Sequence, residues 1–313
     1  MLASPGVSAD VLEAPECLVP AKAGGGFDLS CKMAGAMLSK ARLAKKPMQI
    51  SYLPGGIGAV AFDRMVSGRI DKPGTLVAFS SGSLLNLAQG KFGPHKASDV
   101  RWVAALGTDY GVIAVRRDSP FQSVRDLQAQ LKKDASSVVF GAGGTVGSQD
   151  WVKAALIVKA SGADHKSMRF VSFEGGGEAL TALQGKHVGV FCGDLAEVMQ
   201  AVKAGAQVRL LAVLSDQRLP GAQAHVPTAR EQGLNLSWPT VRGVYVGRHV
   251  SDEDYRQWAE AFRMAMAAPG VDNIREQFGF YPFALTGAAL DVFVQERLTT
   301  YAATARELGL RVR

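Results

Sequence analysis

One repeated unit constrains this chain more than any other feature: a short apolar run, a turn rich in glycine or serine, then an amphipathic stretch. It occurs as "PECLVP" into "AKAGGGFDLSCKM", as "MQISYL" into "PGGIGAVAFDRMVSG", and as "GTLVAFS" into "SGSLLNLAQG". It returns as "SSVVFGAGGTVGSQDWVKAALIVKASG", "MRFVSFEGGGEALTALQG" and "HVGVFCGDLAEVMQAVKAG". In the first unit Leu29, Met33 and Met37 recur every four positions, a helical period that begins at Asp28. Gly205 is placed to end the helix of the last unit. Alternation of this kind predicts an α/β protein built on doubly wound, mostly parallel sheets with flanking helices. Ligands of such sheets bind beyond the carboxyl ends of the strands, where these turns fall.

At 313 residues the chain suits two domains rather than one small core. The rhythm breaks at "ALGTDYGVIAV" (105–115) and again over "AHVPTAREQGLNLSWPTVRGVYV" (224–246). The sequence therefore predicts a discontinuous first domain, residues 1–108 plus 226–313, and a second domain over 109–225. A helix opening at Ser251, with acidic residues in its first turn, would pack back on the first domain.

Five turns, at 24–28, 55–58, 80–83, 141–148 and 174–178, share the glycine or serine enrichment. A helix N-terminus behind such a turn presents unpaired N–H groups and about half a positive charge, so it receives carboxylates without an arginine. The hydroxyls of Ser80, Ser81, Ser83, Thr145 and Ser148 add donors. One glycine alone needs no more than a positive-φ turn. Five such turns split between two halves suggest a shared anion cleft.

Catalytic patterns are missing. Gly56, Gly58 and Ala61 fit GxGxxA after a strand, but the next strand ends at Ser80-Ser81, without the acidic residue that would hold a ribose. An NADP-dependent oxidoreductase is therefore a distant alternative. No GxxxxGK[ST], GxSxG or HExxH stretch exists, and His95, His165, His187, His225 and His249 fall in separate segments. Glu174 and Glu178 suit a helix start better than a catalytic pair. We expect no enzyme activity, no cofactor and no metal.

The net charge of +7 is spread over the chain without a basic stripe, which argues against a nucleic-acid partner. No apolar run approaches the roughly 18 residues of a membrane span. The N-terminal stretch has no basic region followed by an apolar one, so an exported form would already lack its signal peptide. Cys17, Cys31 and Cys192 show no CxxC spacing. Cys17 lies in the first strand and Cys31 in the following helix. A disulfide between them and three separate buried thiols both remain open.

At "PAKAGGGFDLSCK", "SYLPGGIGAVAFDRMV", "VAFSSGSLLNLAQGKFG", "VFGAGGTVGSQDW" and "FEGGGEALTAL" the sequence resembles the periplasmic solute receptors of tripartite tricarboxylate transporters, the Bug/TctC type. The third stretch is most similar to the tricarboxylate (citrate) subgroup. The resemblance implies a two-domain Venus-flytrap fold with the ligand cleft between the domains. It also implies a monomer that captures a tricarboxylate such as citrate in the periplasm and delivers it to membrane permease subunits. A dicarboxylate or aromatic acid is the alternative ligand. The family's carboxylate-holding turns correspond to Gly25, Gly26, Phe27, Asp28, Gly56, Ile57 and Gly58. Thr145, Ser148 and Gly175, Gly176 and Gly177 would close over the far end, with Asp194 a further candidate. Asp28 is expected to order its own turn, and Gly26→Val to weaken binding with little loss of fold.

Overall fold

A computed structural model describes residues 10–312, so the reading of the extreme N-terminus falls largely outside the described residues. In chain order the first half contains β1 (Glu16–Val19), α1 (Gly26–Lys40), β2 (Gln49–Tyr52), α2 (Ala59–Val66), β3 (Thr75–Ser80), α3 (Ser81–Ala88) and β4 (Val100–Tyr110). The middle contains β5 (Val112–Arg116), α4 (Val124–Lys133), β6 (Val139–Gly143), α5 (Gln149–Ala160), β7 (Arg169–Phe173), α6 (Gly176–Gln184), β8 (Val190–Phe191), α7 (Leu195–Lys203) and β9 (Val208–Val213). The chain closes with β10 (Pro239–Gly247), α8 (Asp252–Ala267), α9 (Val271–Phe278), β11 (Leu285–Thr286) and α10 (Gly287–Glu307).

Two sheets result, in the orders β11-β4-β10-β3-β1-β2 and β7-β6-β8-β5-β9. The βα units pair in parallel, β1 with β2 and β3, and β6 with β7 and β8. Strands β4, β5 and β10 carry the chain between the sheets and pair antiparallel with their neighbours. Both sheets are therefore mixed rather than mostly parallel. The reason is topological: a strand that arrives from the other half enters from the opposite end.

Gly111 alone separates β4 from β5, and the chain returns into β10 after Trp238. The helices pack as their apolar spacing demands. Met33, Met37 and Leu38 of α1 are buried with Trp258 and Phe262 of α8. A second cluster runs through both halves, joining Leu84 and Leu85 of α3 to Val152 and Ala155 of α5 and to Trp238 and Tyr301. The halves also meet through polar contacts: Gln89 Nε2 donates to Gly147 O at 2.7 Å, and Lys91 Nζ to Val146 O. Lys22 pairs with Glu178 at 2.6 Å nearer the surface. These contacts hold the two sheets against one another with their turns facing inward.

Cys17 of β1 and Cys31 of α1 form a disulfide, with their Cα atoms 5.6 Å apart, while Cys192 is free and buried. Of the two readings open in the sequence, the bonded one is realised. No helix among the described residues is long and apolar enough to cross a membrane.

Candidate functional site

The site begins with two helices that start without side-chain caps. The N-caps of α1 and α6 are Gly25 and Gly175, both in extended backbone, so neither cap residue has a side chain to fill the first-turn amides. A Cβ added to Gly25 would stand 3.8 Å from Gly176 N, so the two N-termini nearly touch across the cleft. Their positive ends point at one region.

A carboxylate already sits there, and it belongs to the protein. Glu197, in the first turn of α7, accepts from Gly26 N at 2.8 Å through Oε1. A Cβ on Gly176 would collide with its Oε2. Oε2 also accepts, at a longer 3.4 Å, from Asp194 N, the N-cap residue of its own helix.

Behind Glu197 lies a buried charge network. Arg242 of β10 donates to Asp194 Oδ2 at 2.6 Å and to Asp109 Oδ2 at 3.4 Å. Lys153 of α5 donates to Asp194 Oδ1 at 2.6 Å and to Gly193 O at 2.8 Å, and its Nζ lies 2.9 Å from Asp150 Oδ1. Gln149 Nε2 and Thr240 Oγ1 also donate to Asp194, at 2.9 and 3.3 Å. Asp194 is thus the hub, tying α5 and α7 to β10.

The network's electrostatics follow from its composition. Burial opposes ionisation of Asp194, but Lys153 and Arg242 hold its carboxyl below the usual range. Burial would also strip the charge from Lys153, yet Asp150 and Asp194 keep its proton on more firmly than in water. Asp109 goes the other way: burial and nearby Asp194 push it up to about 8, because Arg242 is closer to Asp194. Burial, with Asp194 and Asp150 alongside, pushes Glu197 up to about 7. Four carboxyls thus share two cations, and the two least well paired retain protons most easily.

The cleft has an inner chamber of about 50 Å³ and an outer vestibule of about 470 Å³. Ile57, Asn86, Ser148 and Glu174 line both, so the two are continuous. Ile57 reaches this position from a left-handed backbone conformation (φ 50, ψ 52), rare for a β-branched residue. Its side chain faces Gly144 across the cleft, and a Cβ there would approach Ile57 Cγ1 at 3.3 Å. Strain retained at a cleft lip of this kind is a common mark of a binding site.

The candidate residues divide between the cleft and its supports. Gly25, Gly26, Phe27, Ile57, Ser80, Ser148, Gly175, Gly176 and Asp194 line the inner chamber, while Gly56 and Thr145 line the vestibule. Gly58 instead packs toward Pro20 and Phe92, and Gly177 toward Ala23 and Gly24. Asp28 is fully buried and accepts from Gly24 N, Lys32 Nζ and Tyr52 Oη, which organises its own turn. The serine hydroxyls are mostly committed to structure. Ser80 and Ser83 form a capping box at the start of α3, Ser81 Oγ accepts from Val241 N, and Ser148 Oγ accepts from Trp151 N. Ser81 and Ser83 line neither cavity.

Sequence reasoning missed Asn86, Asp109, Gln149, Asp150, Lys153, Glu197 and Arg242. Two left a trace. Arg242 interrupts the apolar strand "TVRGVYV", an expensive position for an unpaired charge. Glu197 stands three residues after Asp194, the spacing of a capping box, which disguises it as part of an ordinary helix start.

Two α/β halves, each with its glycine turns facing a shared cleft, define a solute-binding protein of the periplasmic type. Residues 41–310 match the model of the tripartite tricarboxylate transporter family receptor. The chain belongs to that family. It is 22% identical over 294 residues to a UPF0065 protein of Bordetella pertussis, covering 94% of this chain and 89% of that one. Among solved structures it is similar to an adipate-bound protein of Rhodopseudomonas palustris (TM-score 0.84, 19% identity, 96% of this chain and 98% of that one). It is also similar to the malate-bound MatC of the same organism (TM-score 0.78, 20% identity, 93% and 98%).

Proposed function

We propose that this chain is a periplasmic receptor that captures a small carboxylate between its two halves and presents it to a membrane permease, without catalysis. The observation that carries this reading is the carboxylate of Glu197, which accepts from Gly26 N at the start of α1 and lies against Gly176 at the start of α6. A seat that accommodates one carboxyl group by backbone amides has the chemistry to accommodate another. The halves divide between β4 and β5 and before β10, and hinge motion there would admit the ligand and change the surface offered to the permease.

A tricarboxylate such as citrate is the ligand suggested by the motif resemblance. A dicarboxylate is the second reading. It is supported by the small inner chamber and by the malate and adipate in two structures of similar fold. An aromatic acid would have to sit in the vestibule. A thermal-shift screen with di-, tri- and aromatic carboxylates tests the class, since a ligand at 100 times its Kd should stabilise the fold by about 2.7 kcal/mol. A melting midpoint unmoved by every carboxylate would overturn the reading.

A further inference from the structure

One side of the inner chamber presents hydrogen-bond acceptors. Asn86 is only 4% exposed, and its Oδ1 has no partner. Gln149 commits its Nε2 to Asp194, which leaves its buried Oε1 without one, packed against the bare backbone of Gly82. Glu197 adds a carboxylate that receives one good hydrogen bond and one long one, although an ionised carboxyl has about four acceptor positions. Among the buried side-chain atoms around the chamber that lack a partner, the one donor is the Nε of Arg242, a residue 3% exposed. Buried polar atoms without partners are few in folded proteins, and each costs free energy until something satisfies it.

Charge points the same way. Asp109, Asp150, Asp194 and Glu197 face Lys153 and Arg242, two more acids than bases, and Asp109 and Glu197 relieve the imbalance by holding protons up to about 8 and 7. Every further ligand carboxylate adds to that excess, and a cation removes it. The chamber's volume of about 50 Å³ suits one compact end of a ligand, with the rest extending into the vestibule.

We propose that the inner chamber is a donor-recognition subsite in which Glu197, Gln149 and Asn86 select, among small carboxylates, those bearing an ammonium group beside a carboxylate. The ligand's carboxylate faces the amides of α1 and α6 and Arg242 Nε, while its ammonium fills the acceptor wall. A hydroxyl in the same place satisfies the acceptors without neutralising the charge, so it ranks second. This assignment rests on the carboxylate-receptor reading and narrows it. It also places Glu197 as a specificity-determining residue, beyond the helix-capping role that its spacing suggests.

The test is a matched series titrated by calorimetry: four- and five-carbon diacids with hydrogen, hydroxyl or ammonium on carbon 2, together with citrate. The wild-type protein should bind the ammonium member at least tenfold more tightly than the unsubstituted diacid, about 1.4 kcal/mol. Glu197→Gln keeps the side chain's shape and an acceptor oxygen but removes the charge. It should erase most of that preference and improve binding of the unsubstituted diacid and citrate. A merely structural Glu197 would weaken all members alike. Gln149→Met provides a second variant should Glu197→Gln not fold, and should lower the ammonium preference severalfold. Binding of the diacids without preference for ammonium would overturn the subsite while leaving the carboxylate receptor standing. Binding of no member would overturn both.

Discussion

At the scale of single residues, Gly26 shows how a position can serve fold and site together. It is the first residue of α1, its N–H holds Glu197, and a Cβ on it would collide with the guanidinium of Arg242. That guanidinium cannot swing away cheaply, because Asp194 and Asp109 fix it in a buried network. The sequence alone suggests that Gly26→Val spares the fold; the structure indicates otherwise. Gly26→Ala should destabilise the protein by about 1–3 kcal/mol, the usual cost of overpacking a fixed environment. Urea unfolding checks this, and a midpoint equal to wild type would show that Arg242 yields freely. The glycine turns were legible because their composition is local. Glu197 and Arg242 were not, because their partners lie far off in sequence, Gly26 for Glu197 and Asp109 and Asp194 for Arg242.

At the scale of elements, the disulfide fastens β1 to α1, the strand and helix on either side of the Gly24–Gly26 turn. The amides of that turn hold their direction only while the helix start is fixed against the strand. With 14 residues of sequence separation, the closed loop should contribute about 3 kcal/mol by restricting the unfolded chain. Reduction, or Cys17→Ala with Cys31→Ala, should lower the denaturation free energy by that order; an unchanged value would mean that packing alone fixes the turn. The order of strands and helices was readable from period and turn chemistry. The direction of β4, β5 and β10 was not, since apolar strands of either direction look alike when both faces are covered. Short strands such as β8 and β11, two residues each, carry too few positions for any period to show.

At the scale of the whole molecule, the buried carboxyls link stability to pH. Asp109 and Glu197 ionise in the unfolded chain near the ordinary carboxylate values, roughly 4, but in the folded protein only near 8 and 7. Between those limits the folded state holds more protons than the unfolded one, so stability falls as pH rises. From about pH 5 to about pH 8 the folded protein should lose on the order of a few kcal/mol, and Glu197→Gln should remove only the part lost below about pH 7, leaving that of Asp109. Denaturant midpoints across that window check the sign, and a flat or rising wild-type curve would refute it. Surface pairs do not enter, because the exposed carboxylates of Asp118 and Glu178 are held low and are already ionised in both states there.

The same network has a kinetic side. Arg242–Asp194 and Gly26–Glu197 join elements on opposite sides of the cleft, so parting the halves must rupture both before anything inside can leave. Both bonds must part for the cleft to open, so their barrier stands before entry as well as departure. In the receptor proposed above, the rate at which the cleft exchanges its contents is written into an arginine and a glutamate that lie beneath the cleft's visible lip.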